Sequence, residues 1–144
     1  MKQIIDNFDG EFAFLSNFSP NICVFEGMIF PTVEHAFQAA KTLDKNQRLM
    51  IAAAPTPGKA KRMGRNVSLR ADWEQIKTDV MYKCLRSKFS TPELREQLLD
   101  TGDAELIESN WWNDTTWGVC NGVGENRLGK LLMQIRAEIK DSLN

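Results

Sequence analysis

The stretch Pro31-Thr32-Val33-Glu34-His35-Ala36-Phe37-Gln38-Ala39-Ala40-Lys41 decides how the rest of the chain is read. Pro31 and Thr32 open a helix, predicted to run to about Leu43. At about 100° per residue, Val33, Ala36, Phe37 and Ala40 share one apolar face. Glu34, Gln38 and Lys41 fall on a narrow stripe beside it, with Lys41 two turns beyond Glu34. Two readings fit that stripe. One is a solvated helix face whose charges support each other weakly. The other is the wall of a pocket. There a lysine of lowered pKa attacks carbonyl-like carbon, and a neighbouring carboxylate exchanges protons with a sugar. Spacing alone favours the solvated face.

Upstream, Phe12, Phe14, Ile22, Val24, Phe25, Ile29 and Phe30 lie in short apolar bursts separated by Asn17, Pro20 and Gly27. This pattern predicts short strands and a hairpin, with Glu26-Gly27 turning between 22–25 and 28–30. Downstream, Asp44 caps a helix to about Ala53, and Thr56-Pro57 opens another that Gly64 ends. Trp73, Ile76, Val80, Met81, Cys84 and Leu85 form a helical stripe over 72–88. Thr91-Pro92 starts a further helix, 104–108 reads as a short strand, and 110–121 as an irregular loop. Leu128, Leu131, Leu132, Ile135 and Ile139 define one face of a last helix. The fold class is α+β: a compact, helix-rich single domain over residues 1–144 with a small N-terminal β-sheet.

A chain of 144 residues, 42% hydrophobic and 26% charged, suits one domain with one core. No run of eighteen apolar residues occurs, and the start MKQIIDNFDGEF lacks an export-signal core, so a cytoplasmic location and no membrane partner are expected. A net charge of −1 supplies no global field for nucleic acid. Cys23, Cys84 and Cys120 form no CxxC pair, and a single histidine completes no usual zinc set. Reduced thiols, no metal and no cofactor are expected.

Asn110-Trp111-Trp112-Asn113-Asp114, followed by Trp117-Gly118, is dense in tryptophan for a loop. Such rings stack on bases or sugars, and Asp114 is placed to bond ribose or act as acid or base. Equally, the tryptophans fill core space. Gly122-Val123-Gly124-Glu125-Asn126 precedes a helix start, where backbone N–H groups can meet phosphate, but a capped tight turn explains it as well. Lys59, Lys61, Arg62 and Arg65 surround Gly64. They read as a basic helix end or as a phosphate clamp led by Arg65.

The order of these elements resembles the NADAR family. The carrying motifs are 14–20 (FLSNFSP), the EHAFQAAK of 34–41, PGKAK with Gly64-Arg65, Arg70-Ala71-Asp72-Trp73, Lys88-Phe89, Trp112-Asn113-Asp114 with Trp117-Gly118, and NRLGKLLM from Asn126. The similarity covers about residues 8–138. It implies a compact α+β enzyme that hydrolyses an N-glycosidic bond. The substrate would be a small-molecule nucleotide-sugar of the early riboflavin pathway, or ADP-ribose on guanine bases of nucleic acid. It further implies Lys41 as a Schiff-base nucleophile, with Glu34 or Asp114 shuttling protons. Asn17, Phe18, Gln38, Arg65, Trp73, Trp112, Trp117, Gly118 and Asn126 are the expected substrate contacts. No obligate protein partner is implied. The rival is a non-catalytic ADP-ribose or nucleotide-binding module built from the same groups.

Overall fold

The structure is a computed structural model and describes residues 2–143. In chain order its elements are β1 (Ile4–Ile5), a 3-10 turn (Gly10–Leu15), β2 (Cys23–Phe25), β3 (Met28–Phe30), α1 (Val33–Ala39), α2 (Lys45–Ala52), α3 (Pro57–Met63), a second 3-10 turn (Gly64–Asn66), α4 (Trp73–Lys88), α5 (Pro92–Leu99), β4 (Glu105–Leu106), β5 (Ser109–Asn110), β6 (Val119–Cys120) and α6 (Arg127–Ser142). They gather into two units. One is Asn17–Lys88; the other joins the chain up to Ser16 to the chain from Phe89 onward.

In the 17–88 unit the hairpin forms as its residues require. Glu26 and Gly27 take φ of 48° and 80°, the left-handed pair that suits the twist of a two-residue turn. Cys23 pairs with Phe30, Val24 with Ile29 and Phe25 with Met28. Cys23, Phe25 and Phe30 are buried, while Val24 and Ile29 face outward. Arg48 of α2 anchors the turn, 2.8 Å from Glu26 Oε1 and over the Phe25 ring. Threonine and aspartate start the helices. Thr32 Oγ1 accepts from His35 N at 3.1 Å, Asp44 from Gln47 N at 2.9 Å, and Thr56 from Lys59 N at 3.1 Å. His35 Nε2 lies 3.0 Å from the Ala54 carbonyl, which can only accept, so Nε2 carries the proton and Nδ1 accepts from Thr32. Every residue of α1 is buried, and the helix packs against α2, α3, α4 and the hairpin.

The other unit is built on α5 and α6. Leu94, Leu98, Leu128, Leu132, Ile135 and Ile139 are buried there. Arg136 ties α6 to the chain before β4 by donating to Thr101 Oγ1 and to the Ala104 carbonyl, each at 2.8 Å. β1 pairs with β4 and β5 with β6, both in parallel.

The helix-rich α+β class holds, with three differences in detail. The strands make three separate two-stranded sheets among the described residues, and only the hairpin is the expected N-terminal one. Phe12 and Phe14 lie in a 3-10 turn, because bonds such as Phe12 N to Asp9 O and Ser16 N to Ala13 O close locally. The helix expected to reach Leu43 stops at Ala39, since the Lys41 carbonyl accepts from Arg70 N at 2.8 Å and that of Thr42 from Arg48 Nε at 2.7 Å. Gly64 ends α3 after Met63 as expected, and with φ of −60° it leads directly into the second 3-10 turn. No helix among the described residues is long and apolar enough to cross a membrane.

Candidate active site

Burial separates the two readings of the Glu34 stripe. Glu34 is 7% exposed and Gln38 4%, so this is no solvated face. Gln38 Nε2 donates to Glu34 Oε1 at 3.0 Å, an i to i+4 bond made inside the unit. The Glu34 backbone N–H donates to the Asn17 carbonyl at 3.1 Å. Asn17 Nδ2 is directed at Met81 Sδ at 3.5 Å, and Asn17 Oδ1 is buried without a hydrogen-bond partner.

Lys41 stands just past α1 rather than on it. Its N–H bonds to the Gln38 carbonyl at 3.2 Å, in the tighter i to i−3 pattern, which keeps it close behind the helix end. Its side chain is half-buried, and that burial pushes the amine below the ordinary lysine range. Glu34 pulls it back up, while Arg65, Lys61 and Lys77 push it further down. The net effect moves the amine toward the neutral form that nucleophilic attack requires.

The other predicted residues of this unit divide. Trp73 is 5% exposed, and its ring lies 5.0 Å from that of Phe37 at 59°, so it walls the core under α1. Phe18 and Arg65 are exposed. A cavity of ≈ 260 Å³ in this unit is lined by Gln47, Met50, Ile51, Met63, Asn66 and Val67, none of which carried a sequence signal.

The tryptophan loop belongs to the other unit. Asp114 N donates to Asn110 Oδ1 at 3.0 Å and Asn110 Nδ2 to the Asp114 carbonyl at 2.9 Å, closing the 110–114 turn. Asp114 Oδ1 accepts from the N–H groups of Thr116 and Trp117. Trp111, 85% exposed, meets half-exposed Trp112 edge-on at 5.5 Å. Trp117 is partly buried. Gly118 is buried where a Cβ would run into Glu108. Asn126, at φ 53°, donates to the Leu106 carbonyl at 2.9 Å and accepts from Glu108 N at 3.0 Å, so both ends of its amide hold backbone. The carbonyls of Thr115, Thr116 and Trp117 accept the N–H groups of Glu125, Arg127 and Leu128. These three N–H groups of the helix start are therefore engaged by the loop itself.

The description "NADAR domain" matches residues 6–140. This chain belongs to the NADAR family. It is 44% identical over 146 residues to N-glycosidase YbiA of Shigella flexneri serotype 5b (strain 8401), covering 96% of this chain and 91% of that protein. It is 37% identical over 147 residues to the chloroplastic riboflavin biosynthesis protein PYRR of Zea mays, covering 89% of this chain and 23% of that one. The NMR structure of the Escherichia coli protein YbiA superposes with a TM-score of 0.86 at 41% identity, covering 99% of this chain and 89% of that chain. As a NADAR protein with such relatives, the chain is an N-glycosyl hydrolase.

Proposed function

We propose that this NADAR enzyme cleaves the N-glycosidic bond of a ribosyl-phosphate or ADP-ribosyl adduct through a Schiff base on Lys41. The observation that carries this reading is the half-buried Lys41 amine, lowered by burial and influenced by the buried Glu34 carboxylate. Opening of the sugar ring leaves an iminium between C1 and the base nitrogen. Lys41 Nζ adds to C1 and loses a proton; the base nitrogen gains one and departs. C1 and Nζ are then joined as a Schiff base. Water adds to C1, Nζ leaves, and the freed sugar recloses. Glu34 takes and returns the protons. The family resemblance also names Asp114 for that role; in its own unit one of its oxygens is already engaged by two backbone N–H groups.

The Zea mays relative named for riboflavin biosynthesis supports an early phosphoribosyl-aminopyrimidine intermediate as substrate. Guanine-linked ADP-ribose is the second substrate to test. Each would be incubated with the enzyme and borohydride, then mapped by peptide mass spectrometry. A reduced sugar adduct on Lys41, with turnover lost in Lys41→Ala, is expected for the true substrate. Turnover that survives Lys41→Ala, or that gives no adduct, overturns the Schiff base in favour of carboxylates stabilising an oxocarbenium ion.

A further inference from the structure

Gln38 lies on the Glu34 stripe, and family resemblance makes it a substrate contact. Its geometry gives it other work. The side chain is 4% exposed, and its amide nitrogen is committed to Glu34 Oε1 at 3.0 Å. Its amide oxygen is buried with no hydrogen-bond partner. That oxygen faces Gly64, where a Cβ would run into the Gln38 amide oxygen and carbon. Gly64 has φ of −60°, a backbone conformation any residue adopts, so its lack of a side chain is needed here for space and not for conformation. A buried acceptor left unpaired costs about 1–3 kcal/mol. The fold accepts that cost while keeping the amide nitrogen on the carboxylate.

We propose that Gln38 is a positioning residue, held in place by the bare backbone of Gly64, and that it fixes the Glu34 carboxylate for its proton transfers. A flipped amide would put its oxygen against a carboxylate oxygen, so repulsion selects the orientation observed. The Gly64 backbone then limits how far Gln38 can withdraw. Three residues on two elements join in one relay: the 3-10 turn after α3 carries Gly64, and α1 carries both Gln38 and, one turn earlier, Glu34, which receives the bond.

This inference rests on the reading of Glu34 as the proton-transfer group, and its test separates the two. The Glu34 carboxyl carbon is followed by ¹³C NMR titration, its signal assigned by loss in Glu34→Gln. Turnover is measured on whichever substrate the wild type hydrolyses. Gln38→Met keeps the side-chain length and removes the donor. It is expected to raise the Glu34 titration midpoint by about one pH unit, because the charged form loses a hydrogen bond. It should also cut kcat about tenfold with KM held within about twofold. Gly64→Ala should move the midpoint the same way in the wild type and add nothing in Gln38→Met. Should Gly64→Ala not fold, the Gln38→Met titration still decides. An unmoved midpoint, or a raised KM with kcat intact, overturns the positioning role and makes Gln38 a substrate contact. Full turnover in Glu34→Gln sinks the reading of Glu34 instead, whatever the titration shows.

Discussion

At the scale of single residues, the proposed chemistry turns on what burial does to Lys41. Burial lowers its pKa and Glu34 raises it. Removing the carboxylate charge therefore lowers it further, which gives a prediction with a definite sign. In Glu34→Gln, the pH midpoint for labelling Lys41 with an amine-selective reagent should fall below the wild-type midpoint, which itself lies below the ordinary lysine value. Labelling read by mass spectrometry tests this without substrate. A midpoint left unmoved in Glu34→Gln would mean that the two groups do not interact. The sequence could name Glu34, Gln38 and Lys41, but it could not choose between a wet face and a buried one. Helical spacing records angle; it is silent on what packs against the stripe. The value of Gly64 was hidden for the same reason, since glycine after a helix normally reads as a terminator.

At the scale of elements, what was legible follows from local chemistry. Thr32, Asp44 and Thr56 announced their helices because a cap is made within a few residues of itself. The 23–30 hairpin was legible through Glu26-Gly27 and the short apolar bursts on either side of it. The parallel pairs β1–β4 and β5–β6 were not, because strands of two residues carry no period and, for β1, the partner is remote in sequence. The 110–114 turn shows how an apparently irregular loop is built: Asn110 and Asp114 grip each other through a side-chain amide and a backbone peptide. Asn110→Ala removes both bonds and leaves backbone groups to be satisfied by water. It is expected to cost about 1–2 kcal/mol in chemical denaturation, and to speed amide exchange at Asp114 and Thr116. Exchange no faster than in the wild type would show that the turn stands without its brace.

At the scale of the whole molecule, one buried charge should govern how stability depends on pH. Lys88 is 1% exposed, donates to Ser19 Oγ at 2.8 Å, and is pushed down to about 7 by burial, with Cys23 pulling the other way. The unfolded chain holds that proton up to the ordinary value of 10.5. Between about 7 and 10.5 the unfolded state therefore binds more protons, and stability rises with pH; below that window both states are protonated and the contribution is flat. Other groups titrate over the same range, so the useful quantity is the difference between the wild type and Lys88→Met. That difference should shift in favour of the wild type by up to about 1.4 kcal/mol per pH unit across the window, the limit for one proton. Urea unfolding at pH 7, 8 and 9 would measure it. Parallel curves for the two proteins would show that Lys88 keeps its proton in the fold. The Ser19 hydroxyl would then be accepting from a buried ammonium, and Cys23 would be the group to examine as its counter-charge.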